Sequence, residues 1–394
     1  MMNIRRLIQK IAVVAALACC MAAVSCSHSN EEPDPGPDPQ PEPTEVPTTV
    51  LVYMAANTDL GRDGFDEADL SEMRAAVKRG ALQGNRLLVY RKPYMGTASL
   101  FEITVNGEKT IAEYTDNTVS SVNASRMSEV IEDARTSAPS RQFGLILWGH
   151  GNGWLQNGIT ENTRLRTWGN EGGRTMNITT LQSVLEPVKP DWVYFDCCYM
   201  ATVEVAYQLR NATAAIVGSV TELPSEGMPY DLTLPYLLRP EGADLTGAAA
   251  QTFGYYNSKT STYYRTCTMS VIATAGMDAL ASAASDIHLR CAARVPDGYQ
   301  GKPFALDKNG YFFDLDHYMQ ALCDANAEAE PYRSAWNEAL SQVVLYSEAT
   351  EYLWASLRLD AHCGLSTLLM TEGRENYRNY SQLDWPVAAG LLTD

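Results

Sequence analysis

Residues Thr48 to Ala56, TTVLVYMAA, form an unbroken apolar and β-branched run that stops at the polar stretch NTDLGRDG, the pattern of a buried strand entering a loop. FDEADLSEMRAAVKRG then places Leu70, Met73, Ala76 and Val77 at helical spacing and ends at Gly80. NRLLVYRKP reads as a second strand, and TASLFEITVNGEKTIAEY as a hairpin with its turn at Asn106-Gly107. A helix around ASRMSEVIEDART leads to the strand FGLILWGHG, Phe143 to Gly151, and a polar, arginine-containing insertion follows. MNITTLQSVLEPV predicts a helix starting near Thr179 or Thr180, DWVYFDCC a strand, ATVEVAYQLRN a helix and AAIVGSV another buried strand. Strands that are apolar throughout and alternate with helices predict an α/β fold, with a mainly parallel central sheet covered on both faces. Residues 278–394 are mostly helical by pattern and read as an appended C-terminal subdomain.

The first residues break this pattern. Arg5, Arg6 and Lys10 precede the apolar stretch IAVVAALACCMAAV, which is too short for a spanning helix and reads as an export signal over residues 1–25. It runs into AVSC, which resembles a bacterial lipobox with Cys26 as the acylated residue. The expected product is a cell-envelope lipoprotein, anchored by lipid in the outer membrane or at the cell surface. Residues 26–47, rich in Pro, Asp and Glu, read as a stiff tether that leaves 48–394 as the folded body.

Composition narrows the partners. The chain has 394 residues, 45% of them hydrophobic, and a formal net charge of -17. A surface this negative excludes nucleic acid and favours cationic substrates. Cys197, Cys198, Cys267, Cys291, Cys323 and Cys363 are irregularly spaced and suggest neither a disulfide framework nor a zinc site.

In a sheet of this kind ligands bind beyond the carboxyl ends of the strands. Three strands end there in Trp148-Gly149-His150, Asp196-Cys197-Cys198 and Gly218-Ser219. A cysteine nucleophile acts as its thiolate and needs an imidazole or a helix N-terminus beside it. His150 lies one crossover before the cysteines, and Gly149, Gly151 and Gly153 leave room for a backbone next to it. The amides of Gly151 and Cys198 are candidate oxyanion donors. Cys197 and Cys198 point to opposite sides if the strand persists that far, so only one of them can face His150.

His150-Gly151 closing one apolar strand and a cysteine closing the next resembles the caspase, legumain, gingipain and clostripain superfamily of cysteine peptidases, and within it the clostripain-like peptidases. TTVLVYMAANTDL resembles that family's opening strand and loop, FDCCYMATVEVAYQL its nucleophile segment, TELPSEGMPY a loop near its specificity pocket and HCGLSTLL a late strand. The resemblance implies a caspase-like α/β/α sandwich and an endopeptidase. It puts the nucleophile on Cys198, the base on His150 and a pocket for Arg or Lys side chains of protein substrates on Asp196, with Glu226 as a further acidic contributor. Asp196 read alone could equally cap the following helix. The resemblance also implies self-cleavage after a basic residue of the insertion, with Arg164, Arg166 and Arg174 as candidates. No organic cofactor is required. Clostripain resembles a calcium-dependent enzyme, but Asn57 stands where the family commonly has Asp, and no EF-hand-like acidic run is present. His288, His317 and His362 are assigned to surface or packing, and the aromatics of YYNSKTSTYYRTCTM to core and interface. Two other readings stay open: a catalytically silent lipoprotein that binds basic peptides, and a transpeptidase or ligase using the same thioester chemistry.

Overall fold

A computed structural model describes residues 44–155, 167–293, 295, 299, 301, 312–369 and 377–392. The export signal, Cys26, most of the acidic tether, Arg164 and Arg166 lie outside the described residues.

The order of elements begins with β1 (Val46–Met54), α1 (Asp59–Arg62), α2 (Phe65–Lys78), β2 (Arg86–Arg91), β3 (Ala98–Thr104), β4 (Gly107–Tyr114), α3 (Ala124–Ser137) and β5 (Ser140–Trp148). Next come β6 (Trp168–Glu171), β7 (Arg174–Met176), α4 (Ile178–Leu185), β8 (Trp192–Asp196), α5 (Val203–Gln208), β9 (Ala215–Gly218), α6 (Tyr230–Leu237), α7 (Leu245–Asn257) and β10 (Thr268–Ala273). The C-terminal part holds α8 (Met277–His288), β11 (Phe312–Asp314), α9 (Leu315–Ala325), α10 (Arg333–Val343), β12 (Val344–Ala349), β13 (Tyr352–Leu353), β14 (Leu357–Arg358), β15 (Ser366–Leu368), α11 (Tyr377–Tyr380) and α12 (Asp384–Ala388).

The central sheet runs β12-β10-β9-β8-β5-β1-β2-β3-β4. Its five middle strands, β9 to β2, are parallel, and both wings are antiparallel. The middle strands are apolar throughout because both of their faces are buried. On β1, Leu51 and Tyr53 enter one core, with α3 and α5, while Val50, Val52 and Met54 enter the other, with α2, α6 and α7.

Several boundaries differ from the sequence reading. β1 begins at Val46, whose amide bonds the Pro139 carbonyl, two residues inside the segment assigned to the tether. The hairpin turn is one residue earlier than expected, because Thr104 pairs with Gly107, and Gly107 takes the positive φ of 121°. The C-terminal part does more than pack on the sheet: β12 pairs antiparallel with β10 and forms an edge of it.

Residues 167–177 of the polar insertion are among the described residues. Trp168 is buried, and Glu171 accepts hydrogen bonds from the Ser120 hydroxyl and the Ser121 amide, 3.6 Å from the buried Lys92 ammonium. This β6-β7 hairpin holds the turn after β5, with Gly169 donating to the His150 carbonyl at 2.8 Å and Asn152 to Thr167 at 2.9 Å.

Candidate active site

The site grows out of two neighbouring parallel strands. Trp148 of β5 pairs with Asp196 of β8, and the Gly149 amide donates to the Asp196 carbonyl. His150 and Cys198 are the second residues beyond that pair. His150 reaches Asp59 at the start of α1, while the Cys198 sulfur meets the Leu223 amide and its side chain packs against the core formed with α3 and α5.

Gly151 brings the two tips into direct contact. A Cβ there would lie 2.5 Å from the Cys198 carbonyl oxygen and 2.7 Å from the Cys197 Cβ, so no larger residue fits. After Cys198 the chain turns sharply through Tyr199, whose φ of 61° is in the left-handed region that side chains disfavour. The Tyr199 amide bonds Thr221, and its ring stacks on Phe312 at 5.5 Å.

β8 ends at Asp196, before both cysteines, and their sulfurs have different partners. Cys197 is buried in the α3 and α5 core and donates to the Leu147 carbonyl at 2.9 Å, and burial pushes its thiol up. The Cys198 sulfur accepts from the Leu223 amide at 3.4 Å. Burial, reinforced by the Glu222 and Asp196 carboxylates, pushes the Cys198 thiol up to about 12, with the Leu223 amide pulling the other way. In this closed arrangement Cys198 is a thiol.

His150 is 27% exposed, and its Nε2 lies 2.7 Å from Asp59 Oδ1. Asp59 opens α1, where the Thr58 side chain caps the Leu60 amide. β1 lies beside β5 in the sheet, which brings the loop after β1 to the tip of β5 across 91 residues of sequence. Sequence reasoning missed Asp59. The available signal was a lone carboxylate just past the strand next to the histidine's own.

Asp196 caps no helix: Thr202 is the N-cap of α5, bonding the Val205 amide. Asp196 is buried, accepting from the Met228 amide at 2.9 Å and the Tyr230 hydroxyl at 3.0 Å. Its carboxyl is raised by burial, as is that of its neighbour Asp69, which accepts from Trp148 Nε1 at 2.6 Å. The groups shaping Asp196 are Tyr230, the Met228 amide and Glu72, none of them cationic. Gly227, at φ 63°, lies directly over this carboxylate, and a Cβ there would sit 2.9 Å from it. Glu226 beside it is exposed.

Arg174 is exposed on β7, its guanidinium 3.4 Å from the Thr118 carbonyl. Asn57 Oδ1 is engaged by the Met95 amide at 2.9 Å, and the described residues contain no group of His, Cys, Asp or Glu that would hold a metal. These residues do not fit a calcium site, and no step of the chemistry is drawn through one. Cys197, Cys198, Cys267, Cys323 and Cys363 are free thiols. His288 is buried against the Ala389 carbonyl, His317 meets Tyr299, and burial pushes His362 down to about 4. In the aromatic segment assigned to core and interface, Tyr256 is core, and Tyr263 and Tyr264 stand at the surface.

A thiol and an imidazole on adjacent strand tips of a caspase-like α/β/α sheet belong to the class of cysteine-type peptidases. The model of the clostripain family, peptidase family C11, matches residues 52–387, and the chain belongs to that family. Among solved structures it is similar to a secreted C11 cysteine protease from Bacteroides thetaiotaomicron in complex with an irreversible peptide inhibitor, at 26% identity over 88% of this chain and 99% of that one, with a TM-score of 0.73. An inactive zymogen C11 protease from Parabacteroides distasonis matches at 25% identity over the same shares, with a TM-score of 0.74. Another structure of a secreted C11 cysteine protease from B. thetaiotaomicron, iotapain, shares the fold at 22% identity and a TM-score of 0.76, over 88% of this chain and 100% of that one. No curated protein matches.

Proposed function

We propose that this cysteine peptidase is an exported, lipid-anchored endopeptidase that cleaves after Arg or Lys, with Cys198 as nucleophile and His150 as general base. The observation carrying the reading is the meeting of the β5 and β8 tips, with Gly151 packed on the Cys198 peptide. Nε2 of His150 faces Asp59, which leaves Nδ1 to exchange a proton with the thiol. His150 Nδ1 takes the Cys198 proton, and the sulfur attacks the peptide carbonyl while the Gly151 and Cys198 amides hold the oxyanion. The C–N bond then breaks as the imidazolium protonates the leaving amine, and water releases the acyl group from the thioester. Asp59 keeps Nε2 protonated and stabilises the imidazolium that forms.

Support for basic specificity comes from Asp196 and Asp69, two buried acids, with Glu226 exposed on the loop above. A guanidinium entering there would supply a countercharge to Asp196. Entry requires the Gly227-Met228 segment to lift, because it covers the carboxylate. Self-cleavage after Arg164, Arg166 or Arg174 belongs to the same proposal, and an N-terminal sequencing run finding one intact, fully active chain would refute that part. Export is in keeping with the similar structures of proteases described as secreted, and the anchor rests on Cys26.

The test is a fluorogenic peptide panel varying the residue before the scissile bond, run on wild type and Cys198→Ala. The expected result is hydrolysis after Arg and Lys by wild type alone. Activity persisting in Cys198→Ala would reject the nucleophile, and a preference for neutral residues would reject the pocket.

A further inference from the structure

Beyond Cys198, the rim of the sheet carries three aromatic rings that the chemistry above leaves unused. Tyr263 and Tyr264, in the loop between α7 and β10, are 51% and 47% exposed. The Tyr263 ring lies 5.3 Å from Tyr264 and 5.1 Å from Trp354 in the turn between β13 and β14. Exposed aromatic rings gathered into one ledge lose the stabilisation that burial would give them, and such surfaces mark binding sites. The turn is itself unusual: Trp354 and Ala355 have φ of 50° and 57°, where glycine or asparagine is the ordinary occupant.

Topology puts this ledge at the catalytic edge. Gly218 at the carboxyl end of β9 pairs with Ser270 near the start of β10, and Thr268 pairs with Ala349 at the end of β12. The segments before β10 and after β12 therefore emerge at the same edge as Cys198. Cys267 and Thr350 hold them together through reciprocal amide bonds, Cys267 N to the Thr350 hydroxyl and Thr350 N to the Cys267 carbonyl, each 3.0 Å. The ledge is also tied to the nucleophile. Trp354 Nε1 donates to Glu222 at 2.9 Å, and the next residue, Leu223, donates its amide to the Cys198 sulfur.

We infer that Tyr263, Tyr264 and Trp354 form a substrate subsite for an aromatic or large apolar side chain on the acyl side of the scissile bond. The direction rests on the Cys198-His150 reading. His150 must protonate the leaving amine, so that half of the substrate lies toward β5, and the acyl half lies toward β9, β10 and β12. Strands are spaced about 4.8 Å apart and an extended peptide advances about 3.3 Å per residue, so the ledge meets a side chain roughly two to four residues upstream of the cleaved bond. A face-on or edge-on ring contact rewards aromatic over small residues there.

The test uses peptides with Arg before the scissile bond and Phe, Leu, Gly or Asp placed two, three or four residues upstream, each paired with a version carrying the same residue downstream. Wild type is expected to favour Phe over Gly by about 3- to 10-fold in kcat/KM at one upstream position. That ratio falls to near one in Trp354→Ala and in the double variant Tyr263→Ala, Tyr264→Ala, and persists in Val105→Ala, a substitution in the β3-β4 turn. If Trp354→Ala fails to fold, the surface double variant decides. Fluorescence anisotropy of the same peptides on Cys198→Ala chain ranks them without chemistry. An inactive wild type that still ranks the peptides in its Cys198→Ala form would therefore count against the nucleophile and not against the subsite. A ratio near one in both measurements, a ratio unchanged in both variants, or a preference found only downstream overturns the inference.

Discussion

The two halves of the catalytic edge are built differently. On the β5 side His150 is partly open to solvent and already paired with Asp59 at 2.7 Å. On the β8 side Cys198 is a half-buried thiol held under Leu223, and Asp196 is sealed beneath Gly227, Met228 and Tyr230. With the roles proposed above, the base is set in advance, whereas nucleophile and pocket share one loop, Glu222 to Tyr230. On that proposal a cationic side chain arriving at Asp196 would act on the same loop that covers the sulfur and would couple recognition of the substrate to exposure of the thiol.

Removing the pocket charge should have the largest effect. Asp196→Asn keeps an acceptor for the Met228 amide and turns its Nδ2 into a donor to the Tyr230 hydroxyl but loses the charge, so kcat/KM for Arg peptides should fall about 30- to 150-fold, the worth of one charge-assisted hydrogen bond of about 2–3 kcal/mol. Neutral peptides should be nearly unaffected; an equal loss on both would make Asp196 a loop anchor only.

On the other side, Asp59→Asn should lower kcat about 10- to 100-fold with little change in KM, because the carboxylate acts through His150 and not on substrate. Asp59→Glu should recover part of the loss. A rise in KM alone would show that the β5 side is not preset as described.

The smallest effect concerns a buried acid behind the site. Glu204 on α5 accepts from the Thr367 hydroxyl and the Leu368 amide, and burial raises its carboxyl to about 7. The folded state then holds a proton that the unfolded chain releases near pH 4, so stability falls as pH rises from about 4 to about 7. Glu204→Gln keeps the acceptor without the charge. Its melting temperature should match wild type near pH 4 and exceed it by a few degrees, roughly the effect of 1–2 kcal/mol, near pH 8. Equal melting temperatures at both pH values would contradict the shift.

The sequence made the adjacency of the candidate site's strands legible where chemistry closes an apolar strand, as at His150 and Cys198, because β5 and β8 lie side by side in the parallel sheet. Asp59 was not legible, since its approach to His150 depends on β1 lying beside β5, an order that the one-dimensional pattern does not contain. β12 was hidden for a different reason: it follows α10 without a break and, as a partly exposed edge strand, lacks the apolar run that marked the middle strands. Tyr263 and Tyr264 were read only as core or interface, because composition cannot tell a buried ring from a displayed one. The Asn106-Gly107 turn came out one residue off because Gly107 pairs with Thr104 instead of occupying the turn centre.

The most direct measurement is mass-spectrometric mapping of the residue labelled by an arginine-bearing peptide electrophile, with the labelling rate followed in wild type, His150→Ala and Cys198→Ala. The account predicts a single adduct on Cys198, formed far more slowly without His150 and absent from Cys198→Ala. An adduct on Cys197, or a Cys198 rate indifferent to the loss of the imidazole, would contradict it.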